Sequence, residues 1–244
     1  KAKLFKGDFS NQYKSRIILV PELIDNVKGR PFFVDAMSQY WRALKYIDSS
    51  ICLNTISEYG QAFDIGFYLA MFHELVHDFP IENIRSSHNK LHDIIYYLSK
   101  YDYATSDFKL RMNLEDDLIG RVQNLIGFIA RNRNLVLSMK NNLLFISSEE
   151  SIIHGDPKLS NFLFNDDATK VISLIDWDTI RLGNINYDIS DCLRSCCNPA
   201  GEEPLQLIDV DFDIHIYQNL LEGYLEKSDN SVVKDKFQDI PYFL

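Results

Sequence analysis

Asp156 and Asn161 lie five residues apart with Lys158 between them, and Asp176 and Asp178 follow beyond a second apolar run. Carboxylates and an amide supply the hard oxygen donors that Mg²⁺ takes together with phosphate and water. A carboxylate beside a hydroxyl orients it and accepts its proton. A lysine nearby offsets the charge that spreads over phosphoryl oxygens in a transition state. The set therefore fits phosphoryl transfer. Asp156 would serve the acceptor hydroxyl and Lys158 the moving phosphate; Asn161, Asp176 and Asp178 would hold the metal. In an extended run Asp176 and Asp178 point the same way, because side chains alternate. A strand–loop–strand rich in Asp and Asn also reads as a plain polar turn. What separates the two readings is the joint order and spacing of all five residues.

Three short apolar runs must position them. Residues 151–154, 161–164 and 171–175 read as strands, and the polar stretch 165–170 joins the last two as a hairpin. That hairpin would carry Asp176 back beside the loop at 155–161. Upstream, 17–20 is an apolar run closed by Pro21. Residues 31–35 and 40–47 flank a turn-like Ala36-Met37-Ser38-Gln39. From about residue 57 the period changes: Phe63, Phe67, Ala70, Met71 and Leu75 recur at helical spacing and Pro80 follows. Further helices are expected near 89–100, 107–131 and 206–226, the second capped at Ser106-Asp107. The pattern predicts an α+β chain with a small β-rich part at 1–48 and a larger, mainly helical part at 49–244.

The bulk properties narrow the class. With 244 residues, 46% hydrophobic and 25% charged, the chain can bury a sizeable core. A net charge of −10 argues against nucleic-acid binding, which needs a basic face. It is compatible with a cationic substrate, although many cytosolic enzymes are acidic. The four cysteines, Cys52, Cys192, Cys196 and Cys197, form no Cys-x-x-Cys pair and read as free thiols of a reducing cytoplasm. No apolar run approaches the ~18 residues of a membrane span, so no membrane partner is expected. The first ten residues lack a signal-peptide core.

His154-Gly155-Asp156 with Lys158 and Asn161, followed by Ile175-Asp176-Trp177-Asp178, resembles the aminoglycoside phosphotransferase and choline kinase superfamily. The further run Gly183-Asn184-Ile185-Asn186-Tyr187-Asp188-Ile189-Ser190-Asp191 makes the segment most similar to N-acetylhexosamine 1-kinases. The resemblance is concentrated at 151–194 and diffuse over 40–100. It implies a protein-kinase-like, two-lobed fold and an ATP- and Mg²⁺-dependent transfer to a hydroxyl of a small molecule, such as a sugar. An aminoglycoside, choline-like or amino-alcohol acceptor, or a binding module without chemistry, stays open beside that. Asp176 matches the metal-binding aspartate of the kinase signature, and Asp188 would brace the catalytic loop from a following helix. His154 reads as a structural hydrogen-bonding residue, not a general base. Adenine would rest on the backbone near Tyr46 and Ile47. The family's phosphate-covering loop and strand lysine have no counterpart in this sequence. The resemblance therefore implies a chain that is part of a longer enzyme, with further strands before residue 1 and further helix after Leu244.

A competing motif is His73-Glu74-Leu75-Val76-His77. On a helix both imidazoles share a face and suit Zn²⁺, with Glu74 as base, as in a zinc hydrolase. No third ligand is marked, since Asp78-Phe79-Pro80 ends the helix, and the kinase-like reading leaves these histidines incidental. His88 and His92 read as surface or substrate-groove residues, and Cys192 and Cys196 as core. Asp209, Asp211 and Asp213 alternate as in a calcium loop, but Ile214 and Leu220 occupy the places such a loop gives to Gly and Glu. They read better as acids at a helix start.

Overall fold

The computed structural model describes residues 19–84, 90–106, 116–145, 150–228 and 240. Residues 17 and 18 of the first apolar run, Asp107 of the expected cap, and His88 lie outside these. Two small antiparallel ribbons come first. β1 (Leu23–Ile24) pairs with β4 (Ala43–Leu44), and β2 (Phe33–Val34) with β3 (Tyr40–Trp41). The β2–β3 turn is closed by Asp35, whose Oδ1 accepts the Met37 and Gln39 N–H groups at 2.9 Å each. The run 40–47, expected as one strand, is thus two strands with different partners, and Arg42 sits between them. Leu19 and Val20 form no strand; Leu19 N–H instead donates to the Ile172 carbonyl at 2.8 Å.

β5 (Ser50–Cys52), β7 (Phe162–Asn165) and β8 (Val171–Leu174) make a three-stranded antiparallel sheet with β7 in the middle. β6 (Ser151–Ile153) pairs antiparallel with β9 (Arg181–Gly183), which puts Ile153 opposite Arg181. The hairpin between β7 and β8 turns on Asn165, whose Oδ1 accepts from Thr169 N and Lys170 N. Val171 to Leu174 are all buried, as expected of a strand covered on both faces.

α1 (Tyr59–His77) runs through the centre, buried almost all round from Gln61 to Phe72. The Gln61 Oε1 atom accepts from Ser57 N and Glu58 N and so satisfies donors at its start. α2 (Ile94–Ser106), α3 (Asp116–Phe145), α4 (Ile185–Cys196) and α5 (Ile214–Lys227) complete the order. α2 begins several residues later than the periodicity indicates, where the Asp93 Oδ1 accepts from Tyr96 N at 3.1 Å. α3 extends beyond residue 131 to Phe145. The last helix begins at Ile214, not near 206, because Asp213 caps it through His215 N and Ile216 N.

The core lies between α1, β7, β8, α4 and α5, with Phe67, Leu69, Phe162, Phe164, Leu174, Leu193 and Leu220 fully or nearly fully buried. Each such side chain contributes about 1.5–3 kcal/mol by leaving water. α1 and α5 approach through glycines. A Cβ on Gly66 would run into the Leu220 carbonyl, and one on Gly223 into the Phe63 carbonyl. Cys192, Cys196 and Cys197 are free and buried in this core, and burial pushes the Cys197 thiol up to about 12. Among the described residues no helix is long and apolar enough to cross a membrane.

Candidate active site

β6 delivers the chain to His154, Gly155 and Asp156. The turn there needs glycine twice over: Gly155 has φ +87, and a Cβ would stand 2.6 Å from the Thr179 carbonyl oxygen. Asp188, in the first turn of α4, grips the loop by its backbone. Its carboxylate accepts the N–H of His154 at 2.6 Å and of Gly155 at 2.8 Å. Burial pushes the Asp188 carboxyl up, but the hydrogen bond and charge of His73, with His154 and the Gly155 N–H, hold it below the usual carboxylate range.

His73 is not the incidental residue that the kinase-like reading of the sequence makes it. Its Nε2 lies 2.9 Å from Asp188 Oδ2 and its Nδ1 lies 2.7 Å from the Tyr224 hydroxyl. A buried line of polar contacts thus runs from α5 through α1 and α4 to the loop. Both ring nitrogens are engaged, and Glu74 forms an ion pair with Lys227. Among the described residues no group of three or more His, Cys, Asp or Glu stands together as a metal site. The zinc reading of the His-Glu-x-x-His segment fails on these contacts. Nothing periodic in the sequence marks His73, because its partners lie far along the chain.

His154 is buried, with Nε2 2.9 Å from the Ile175 carbonyl and its ring edge-on to Phe72. With a carbonyl as partner, Nε2 carries the proton and donates. Burial holds the His154 pKa below its ordinary value, against the opposing pull of Asp188, the Ile175 carbonyl, Asp156 and Asp176. Thr179 ties the returning segment to the loop by donating its hydroxyl to the His154 carbonyl at 2.8 Å.

Asp156 is half-buried, and Lys158 Nζ stands 3.6 Å from its Oδ2. Asn161 is buried at the end of a 3-10 turn, Leu159–Asn161, whose first N–H donates to Ser195 Oγ at 2.9 Å. The Asn161 Nδ2 donates to the Asp156 carbonyl at 2.8 Å, which fixes the amide and leaves Oδ1 as its oxygen face. The Asn161 carbonyl accepts Ile175 N–H at 2.9 Å. The structure therefore draws Asp156, Lys158, Asn161 and the 175–176 peptide into one locality.

Asp176 is exposed and left-handed, φ 65 and ψ 56, and a 3-10 turn, Trp177–Thr179, follows at once. The expectation that Asp176 and Asp178 share one direction along an extended strand does not hold. β8 stops at Leu174, where the Trp177 indole N–H donates to its carbonyl, and the turn swings Asp178 away to an ion pair with Arg42. Tyr46 is exposed and Ile47 half-buried, with the Ile47 carbonyl accepting the Ser50 hydroxyl at 2.6 Å. They connect to the loop through β5, whose Ser50 to Cys52 pair with Asn165 to Leu163 of β7.

The same architecture occurs in solved structures. An aminoglycoside phosphotransferase from Alicyclobacillus acidocaldarius superposes with a TM-score of 0.57 at 14% identity, covering 91% of this chain and 62% of that one. A spectinomycin phosphotransferase solved with ADP and spectinomycin gives 0.55 at 15% identity, over 94% and 73%. A choline/ethanolamine kinase family protein from Mesorhizobium loti gives 0.51 at 13% identity, over 91% and 59%. These likenesses identify the fold as the expected α+β, protein-kinase-like one. The chain spans about three fifths of the first and third of these structures. The model of the phosphotransferase enzyme family matches residues 11–220. With that match over most of its length, the chain belongs to the phosphotransferase enzyme family.

Proposed function

We propose that this chain carries the catalytic part of a small-molecule kinase that transfers the γ-phosphate of ATP to a hydroxyl. The observation that carries the reading is the set of hydrogen bonds gathering Asp156, Asn161 and the start of the 175–176 segment at the ends of two strands. In it, Asp156 orients the acceptor hydroxyl and takes its proton as the new O–P bond forms, while the bond from the γ-phosphorus to the bridging oxygen breaks and ADP leaves. Lys158, 3.6 Å from Asp156, supplies positive charge beside the transferred phosphate. Asp188 and His154 hold the loop and touch no substrate. Adenine lies against the backbone at Tyr46 and Ile47.

The donor set suits Mg²⁺: an amide oxygen oriented by its own Nδ2 hydrogen bond, and an exposed carboxylate on Asp176. Two protein oxygens leave the remaining positions to phosphate and water. A bound Mg²⁺ would neutralise phosphate charge there. Asp178 shares its carboxylate with Arg42 through Oδ1, which leaves Oδ2 as the oxygen it could offer the ion. The division at 48/49 belongs to the same reading: among the described residues β1 pairs with β4 and β2 with β3, whereas β5 belongs to the β7–β8 sheet.

For the acceptor, the Gly183-to-Asp191 pattern supports a sugar such as an N-acetylhexosamine. The similar folds are named for aminoglycosides, spectinomycin and choline or ethanolamine, which makes an amino-alcohol the second reading. The test is coupled ADP release across a panel of sugars and amino-alcohols with the full-length enzyme. Asp156→Ala and Asp176→Ala should each abolish substrate-dependent release, and turnover surviving in both sinks the assignment.

A further inference from the structure

Arg181 is an anomaly beside the loop. It is only 8% exposed, yet among the described residues no carboxylate reaches it within ion-pairing distance. Its Nε–H is buried without an acceptor. Its Nη1 makes a long contact of 3.4 Å to the Leu182 carbonyl, and its Nη2 meets His92 Nδ1. The guanidinium also lies 5.9 Å from the centre of the Tyr187 ring. Burial lowers its pKa, while Asp188 and Tyr187 act in the opposite sense.

A buried cation with no carboxylate in contact is costly, and here Asp188 offsets that cost only from beyond ion-pairing distance. Arginine cannot be neutralised. The position is not incidental either. Arg181 is the β9 residue opposite Ile153, immediately before His154, and Thr179 stitches the same segment to the His154 carbonyl. Gly183, two residues on, makes room for Ile153: a Cβ there would stand 2.6 Å from Ile153 Cδ1 and only in ordinary contact, 3.6 Å, with Arg181 Nη1. His92 stacks on Tyr187 at 4.5 Å and 14°, and burial lowers its pKa to about 4, so it is neutral at pH 7. With Nδ1 accepting from Arg181, its proton sits on Nε2, which adds a second donor.

We propose that Arg181, with His92 beside it, receives an anionic group on the acceptor molecule, a carboxylate or a phosphate. A guanidinium fork matches either group. The same buried charge works against a cationic acceptor, whatever the negative charge of the whole chain. The inference rests on the kinase reading only for the identity of the molecule that carries the anion.

The test is ligand-dependent thermal stability of the full chain without nucleotide, using glucose, glucuronate, glucose 6-phosphate, acetate and inorganic phosphate. At least one anionic ligand should raise the wild-type Tm while glucose does not. Glucuronate and acetate against glucose 6-phosphate and inorganic phosphate distinguish the two anions. Arg181→Met should keep or raise the ligand-free Tm, since it removes an unpaired buried charge, and should weaken binding of the anion at least tenfold. Arg181→Lys should lie between. The Arg181 Nε–H resonance, assigned by its loss in Arg181→Lys, should shift on titration of the wild type. Asp156→Ala should end turnover and leave anion binding intact, so failure of the kinase reading is separable from failure of this one. A wild type indifferent to every anion, an Nε–H signal that does not move, or an Arg181→Met variant that binds the anion undiminished or unfolds overturns the proposal.

Discussion

His92 and His154 are lowered for the same first reason, burial, with Arg181 adding to it at His92 and nearby carboxylates opposing it at His154. An unfolded histidine titrates at about 6.5. Between that value and about 4, the unfolded chain binds a proton that folded His92 refuses. Stability should therefore be flat above pH 7 and fall as the pH drops from 6.5 towards 4, His92 alone accounting for on the order of 2–3 kcal/mol. Asp188 is shifted in the same direction: its contribution is present above ~4 and lost only as pH falls through its depressed folded value. Urea midpoints measured from pH 8 to 4 check this, and His92→Phe should flatten the slope. A midpoint that rises on acidification contradicts it. At this scale the sequence was readable where spacing is local: Asp156, Lys158 and Asn161 announce themselves within six residues. His73 and Arg181 do not, because their partners come from other elements and neither residue type demands such a partner.

At the scale of elements, the α1–α5 contact turns on Gly66 and Gly223, each facing a backbone carbonyl of the other helix. Backbone cannot swing aside as a side chain can. Gly66→Ala or Gly223→Ala should cost about 3 kcal/mol, at the upper end of ordinary overpacking. Gly120→Ala in α3 is the control. A Cβ there meets nothing within 4 Å, so better helix propensity should stabilise by about 0.5–1 kcal/mol. Equal effects at the three sites in urea unfolding would show that the two helices do not meet as closely as described. Helical periodicity revealed α1 and its buried run, but a glycine inside a helix reads only as a weak spot until its neighbour is known. The left-handed Asp176 was hidden for a related reason. Aspartate tolerates that conformation without signalling it, so an apolar run into Ile-Asp-Trp-Asp looks like continuing strand.

At the scale of the whole molecule, the described small ribbons meet the larger part through Arg42 with Asp178. Both side chains are 48% exposed, so the pair is worth at most about 1 kcal/mol and salt screens it. Arg42→Ala should leave the unfolding free energy from urea denaturation within about 0.5 kcal/mol of wild type while amide exchange in β2 to β4 quickens. Loss of global stability instead would argue against the division at 48/49. Composition and alternation conveyed the order of a β-rich start and a helical remainder. They could not convey which carbonyls the two parts share. One such carbonyl is that of Ile172, which accepts from Leu19 N–H at 2.8 Å and from the Tyr68 hydroxyl at 3.1 Å. A pull on the chain at residue 19 is therefore not absorbed by a slack tether. It loads the peptide plane that anchors α1, on the strand that runs directly into Asp176, so mechanical tension on the small ribbons is delivered to the residue proposed to meet the metal.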